Sequence, residues 1–270
     1  MMWDNHFIQG SYMTHKPRIL LTNDDGISAP GLRHLWEALT DFADVTIVAP
    51  ASEKSGAGLG ITIHSPLILQ DVKWERGTSA WKVTGTPADC IRMGLSVVLK
   101  ETPDLIVSGI NRGANSGRSV LYSGTVGGVI EGILRNVPGI AFSCVDFANP
   151  DYQITQQHIT PIVKHLLNNP LPKGTLLNVN FPNTPEIKGI KMARQGMGYW
   201  TENPQERVHP EGHSYYWLGG KWKDHDEHED SDVALLQQGY ATAVPIHASE
   251  LTDHVFLEKS KADFDRLFSW

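Results

Sequence analysis

The sequence predicts an α/β sandwich, an open and mostly parallel sheet covered by helices on both faces. Three observations lead there. Short apolar runs of strand length alternate with stretches of helical periodicity as far as Phe181. The first strand–helix–strand unit closes within about thirty residues, which implies parallel strands joined by a right-handed crossover. Loops rich in Gly, Asn and Asp follow the strands, at the edge where such a sheet binds its ligands.

Taken in order, Arg18–Thr22 is a buried-type strand that stops at Asn23-Asp24-Asp25-Gly26. After Pro30-Gly31, the apolar residues of Leu32–Leu39 recur at helical spacing. Asp44–Ala49 is a second apolar run, too short for a typical helix and closed by Pro50. The alternation continues with a helix over Ala88–Leu99, a strand over Pro103–Gly109 and a helix over Val126–Leu134. A strand over Gly139–Ser143, a helix over Gln156–Leu167 and a strand over Thr175–Phe181 complete it. Residues 17–185 therefore read as a Rossmann-like three-layer core, preceded by a loosely ordered tail over 1–16. From Pro182 the texture changes. Three of the eight tryptophans fall between residues 200 and 222, too many for an idle linker. A charged run, Asp224–Asp232, leads to a helix near Val233–Gln238 and a strand over Ala241–Ile246, whose Pro245 belongs at a sheet edge or bulge. Residues 186–246 thus read as an extended arm returning to the core, and 247–270 as a C-terminal segment.

Composition narrows the function. The 270 residues are 40% hydrophobic and 20% charged, a folded globular balance. Lys and Arg number 23 against 30 Asp and Glu, a net charge of −7 that argues against a dedicated nucleic-acid binder. No apolar run approaches the ~20 residues of a membrane span. The first seventeen residues carry no apolar stretch of secretory length, and Cys90 and Cys144 read as reduced thiols, so a cytoplasmic protein is expected.

Four loops carry the chemistry. Adjacent carboxylates at Asp24 and Asp25 repel unless a proton or cation separates them, and their oxygens suit hard divalent ions; Asn23–Gly26 also reads as an ordinary Asx turn. Ser52–Gly60 has G-x-G-x-G spacing and is followed by strand-like Ile61–Ile63, so it lacks the helix that a dinucleotide fingerprint needs. A loop bringing Ser55 and backbone N–H groups over a ligand fits it better. Ser108–Gly117 combines glycines, which let backbone approach a ligand, with Asn111, whose amide carbonyl can ligate a metal. Tyr122-Ser123-Gly124-Thr125 precedes a helix, whose first N–H groups are either capped or bind phosphate. The His-containing run Asp224–Asp232 reads as a solvated acidic loop rather than a metal centre.

These motifs together identify a resemblance. Ile19–Ile27 with Ala29–Gly31, Val48–Pro50 with Ser55–Gly58, Gly85–Cys90, Pro103–Asn115, Leu121–Gly127, Asn178–Pro182, Asp232–Leu235 and Gly239-Tyr240 resemble the SurE (survival protein E) family of metal-dependent nucleotidases, over roughly Arg18 to Pro245. The resemblance implies a divalent-metal phosphatase acting on nucleoside 5′- and 3′-monophosphates, with short polyphosphate as a further substrate. It implies one Mg²⁺ or Mn²⁺ per subunit on Asp24, Asp25, Ser55 and Asn111, and a homodimer or homotetramer assembled through the arm. Asp24 and Asp25 would be catalytic through the ion. Water is then the expected nucleophile, since ligation ties up both acids and so disfavours an aspartyl-phosphate. Asn23, Gly109, Asn111, Ser123, Gly124 and Thr125 would hold the phosphate. Candidates for the general acid are His213, His225 and His228, and Tyr199 or Trp200 could stack on a base or equally serve a subunit interface. The competing readings are a nucleotide-binding regulatory protein without turnover and a nicotinamide-dependent oxidoreductase, the latter disfavoured by the missing helix after Gly60.

Overall fold

The computed structural model describes residues 16–267, so the tail over 1–16 falls outside it but for Lys16. The strands are β1 (Arg18–Thr22), β2 (Asp44–Pro50), β3 (Leu69–Asp71), β4 (Ser79–Val83), β5 (Leu105–Arg112), β6 (Gly139–Cys144), β7 (Thr175–Phe181), β8 (Ile190–Met192), β9 (Tyr199–Val208), β10 (Ser214–Lys223) and β11 (Ala241–His247). The helices are α1 (Pro30–Leu39), α2 (Pro87–Met93), α3 (Gly124–Ile133), α4 (Tyr152–Asn168), α5 (Asp232–Gln237) and α6 (His254–Leu267).

Nine strands form one sheet in the order β3-β4-β2-β1-β5-β6-β7-β11-β8. From β4 to β7 every pairing is parallel, while β3 and β11 run antiparallel to their neighbours β4 and β7. Side chains alternate across the strands, so Ile19 and Leu21 face one layer and Leu20 the other. The first layer is α1 and α4, packed through Leu32, Leu35, Trp36, Ile159 and Val163. The second is α2 and α3, packed through Cys90, Ile91, Val126 and Val129. Pro30 opens α1 because its fixed φ suits a first helical turn. The chain winds outward from β1 through β2 to β4, then crosses back and winds the other way from β5 to β7. The strand order therefore reverses between β1 and β5, and the carboxyl ends of those two strands diverge into a crevice.

Several elements differ from the sequence expectation. The helix expected over Ala88–Leu99 ends at Met93 and continues as a wider π turn over Gly94–Val98. Ile61–Ile63 pairs with no strand, and Thr62 instead donates from its backbone and hydroxyl to Asp89. β3 and β4 extend the sheet where no strand was read. Pro245 pairs with Leu177 on one side, while β8 covers only Ala241–Ala243 on the other, so the proline meets no β8 partner. Within residues 186–246, β9 and β10 form a two-stranded hairpin paired only with each other. No described helix is long and apolar enough to cross a membrane.

Candidate active site

The loop after β1 carries the two acids into the crevice. Asn23 folds it into a turn, donating from Nδ2 to the Gly26 carbonyl at 3.0 Å and accepting at Oδ1 from the Gly26 N–H at 3.2 Å. Both polar groups of that side chain are thus engaged inside the turn. Asp24 follows at 4% exposure. Its Oδ1 accepts from the Thr125 hydroxyl, and its carbonyl accepts from the Lys54 N–H at 2.7 Å. Burial pushes the Asp24 carboxyl up to about 6, with the charge of Asp25 adding and the Thr125 hydroxyl opposing. Asp25 is half-buried, and its Oδ2 accepts from the Arg112 N–H at 3.2 Å. Burial raises it too, against that bond. No Lys, Arg or His side chain forms a salt bridge with either acid among the described residues; Arg112 eases Asp25 only through its charge and its backbone.

Asn111 enters from β5 by way of a bulge. The register between β5 and β6 shifts between Ser108 and Asn111, skipping Gly109 and Ile110, which re-aims the end of the strand. Gly109 lies inside the bulge at φ 130°, where a Cβ would sit 2.3 Å from the Phe142 carbonyl oxygen. Its place is against β6, shaping the bulge. The Asn111 amide donates from Nδ2 to the Gly113 carbonyl at 2.8 Å, so Oδ1 is the atom available to a cation. Behind it, Asn115 Nδ2 donates to Ser143 Oγ, and Asn178 and Asn180 both donate to the Asn115 carbonyl, fixing the loop to β6 and β7.

Two further segments close the site. Ser55 is exposed on the loop after β2 and donates to Glu53 Oε1 at 2.7 Å. It lines the same cleft as Asp24 and Asn111. α3 points its N-terminus at Asp24: Ser123 caps it, accepting from the Val126 N–H at 3.1 Å, and Gly124 lies so close that a Cβ would meet Asp24 Cβ at 2.8 Å. Gly124 and Thr125 belong to the first turn, whose N–H groups have no partner within the helix. The expected set Asp24, Asp25, Ser55, Asn111, Ser123, Gly124 and Thr125 therefore collects at the switch point, while Asn23 and Gly109 stand behind it.

The histidines do not join. His213 lies at the hairpin turn, His228 pairs with Asp230, and neither they nor His225 lines the cleft. Among the described residues a His/Glu group close enough for an ion is the exposed trio His209, Glu211 and His213 of that turn, not the charged run. Nor is that run merely solvated. Asp232 is fully buried, accepting from the N–H groups of Gly117 and Gly196 and from Gln195 Nε2, and Glu227 accepts from the N–H groups of Met197 and Gly198. These clamps went unread because acids in a charged run look alike; Ser231, the cap of α5, is the sequence signal that separates Asp232 from the rest.

The family model "Survival protein SurE" matches residues 19–202. A protein of Protochlamydia amoebophila named 5′-nucleotidase SurE is 51% identical over 94% of this chain and 98% of its own length. A protein of the same name from Christiangramia forsetii is 44% identical over 90% of this chain and 95% of its own length. The solved SurE structure from Aquifex aeolicus superposes with a TM-score of 0.78 at 37% identity, covering 92% of this chain and all of that one. With the switch-point acids, the bulged Asn111 and the family model in agreement along most of its length, the chain belongs to the SurE family.

Proposed function

We propose that this protein is a divalent-metal-dependent phosphatase that hydrolyses nucleoside 5′-monophosphates to nucleoside and phosphate, with 3′-monophosphates and short polyphosphate as further substrates. The observation that carries the reading is the acid pair Asp24–Asp25, salt-bridged to no basic side chain among the described residues, at the switch point beside the N-terminus of α3. The donors fit a hard cation: two carboxylates, the Ser55 hydroxyl and the Asn111 carbonyl are all oxygens. One Mg²⁺ or Mn²⁺ per subunit on these four residues would supply positive charge to the phosphoryl oxygens and lower the pKa of water.

The chain itself does the positioning, which is most of what phosphoryl transfer asks of a protein. The N–H groups of Gly124 and Thr125 bind phosphate oxygens at the positive end of α3. Thr125 and the Arg112 N–H fix the orientation of the two acids. Water, not a carboxylate, attacks phosphorus, because both acids are engaged. The names of the relatives support the nucleotide as substrate. The exposed Tyr215, Tyr216 and Trp217 of the hairpin support assembly of a dimer or tetramer through the arm. Phosphate release from a panel of nucleotides, with and without chelator, tests the reading. Chelation and Asp24→Asn should each abolish release, with Mg²⁺ or Mn²⁺ restoring only the wild type. Hydrolysis that survives both defeats the proposal, and stoichiometric nucleotide binding without release returns the protein to a regulatory role.

A further inference from the structure

The cleft holding Asp24, Ser55 and Asn111 has a volume of about 820 Å³, in the ~300–1,000 Å³ range of whole small-molecule sites rather than of an ion and a phosphate. Its lining joins polar side chains, among them Asp24, Asn111 and Ser123, to the rings of Phe147, Trp200 and Trp222. We propose that these rings form a nucleobase subsite in which Phe147 and Trp200 stack on the base, with Trp222 as the support of Trp200. The proposal rests on the nucleotide phosphatase reading and adds where the base lies and which bases are favoured.

Phe147 and Trp200 are 61% and 59% exposed, large ring surfaces left to water inside a cleft. Yet neighbours hold these rings in place. The Arg112 guanidinium lies 4.4 Å from the Phe147 ring centroid, and Gly113 packs against the same ring. Trp222 donates from Nε1 to Asp224 Oδ1 at 2.9 Å and presses its ring onto Gly198, where a Cβ would stand 2.4 Å from Cζ2. Trp200 meets that fixed ring edge-on, with centroids 5.7 Å apart and planes at 75°. Rings already held lose little freedom on stacking. Asn183, Thr184 and Gln237 line the same cleft and offer neutral donors and acceptors to a base edge. Stacking tolerates every base and ranks them by stacking strength, so purines bind ahead of pyrimidines. Phe147 comes from the core and both tryptophans from the arm, so the arm completes the substrate site.

Steady-state kinetics of the full chain with Mg²⁺ test this, using AMP, CMP and ribose 5-phosphate on the wild type, Phe147→Ala, Trp200→Ala and Trp200→Phe. The alanine variants should raise KM for AMP roughly 5- to 100-fold at near-constant kcat, the range expected for a lost base stack. Ribose 5-phosphate kinetics should not move, Trp200→Phe should stay near wild type, and the wild type should show a lower KM for AMP than for CMP. Calorimetric binding of adenosine, which needs no turnover, should weaken in the same two variants. An unchanged KM for AMP in both alanine variants, an equal rise for ribose 5-phosphate, or unaltered adenosine binding overturns the subsite. A wild type that releases no phosphate from any substrate counts against the phosphatase reading instead, while adenosine binding still decides the stack.

Discussion

Replacing Asp24 by Asn separates two demands on one side chain, because the charge that the proposed ion would need is a charge that folding must bury. Asp24 is 4% exposed, and burial lifts its carboxyl from 3.8 to about 6. At 1.36 kcal/mol per pKa unit, that rise corresponds to about 3 kcal/mol of lost stability once the group is ionised. The sign follows from proton binding: the folded carboxyl holds its proton more tightly than the unfolded one. The stability is therefore fully present below about pH 4 and is lost as the pH rises through about 6. Asn carries no charge, so in chelator at pH 7.5 the variant should be more stable than the wild type. The gain is below the full value, because the amide accepts a weaker bond from Thr125 and brings an NH₂ group that needs an acceptor of its own. A net 1–2 kcal/mol raises Tm by about 2–8 °C for a chain near this size. Thermal unfolding followed by circular dichroism, in chelator at pH 4.5 and 7.5 and again with saturating Mg²⁺ or Mn²⁺, measures it. The variant should melt higher than the wild type at pH 7.5, with the gap narrowing at pH 4.5. The ion should stabilise only the wild type, by about 2.7 kcal/mol at one hundred times its Kd. A variant that melts lower than the wild type in chelator at pH 7.5, or that gains the same increment from the ion, refutes the reasoning.

Other expectations follow from the same geometry. Thr125→Val keeps the shape but removes the hydroxyl that Asp24 accepts from, so unfolding in urea at pH 7.5 without metal should show a loss of about 1–3 kcal/mol. Gly124→Ala places a methyl 2.8 Å from Asp24 Cβ and 2.9 Å from its Oδ2. Phosphate release should fall at least ten-fold, while overpacking costs about 1–3 kcal/mol of stability. Asp232→Ala leaves the N–H groups of Gly117, Gly196 and Val233 without their acceptor, and chemical denaturation should register a loss of about 3–5 kcal/mol.

The parts of this molecule that the sequence announces are those in which local pattern and final burial agree. β1, β2, β5, β6 and β7 lie between two helical layers and so read as unbroken apolar runs. β9 and β10 were opaque for the opposite reason: the hairpin packs neither face on the core, Pro204 sits inside it, and no apolar alternation survives. α6 has no buried residue, so nothing in its sequence had to follow the core. At the candidate site, the gathering of the acids, Ser55 and Asn111 at one edge follows from the sequence, because the strand ends of such a sheet share that edge. Thr125's hold on Asp24, 101 residues away in sequence, and the shift in register that turns Asn111 are tertiary facts. Local periodicity carries no trace of either.

The other buried acids show what is particular about Asp24. Among the described residues four carboxylates are buried: Asp24, Asp89, Glu131 and Asp232. Asp89 accepts from the N–H and hydroxyl of Thr62 and from the N–H of Thr86, and its pKa falls below the ordinary value in spite of burial. Glu131 is paired with Arg135 at 2.8 Å and with Arg92 at 3.6 Å. Asp232 accepts from three backbone N–H groups and a glutamine amide, which oppose the rise that burial imposes. Each has a structural task and the donors to match it. Asp24 has the Thr125 hydroxyl and lesser help from the N–H groups of Asp24 and Thr125, while the neighbouring charge of Asp25 pushes the other way and burial still wins. An arginine side chain bonded to both acids would stabilise the fold and fill the place of a cation. Arg112 lines the crevice but lays its guanidinium over the Phe147 ring and eases Asp25 only through its charge and its backbone, so the charge that Thr125 and Arg112 leave uncompensated is what a divalent ion would neutralise.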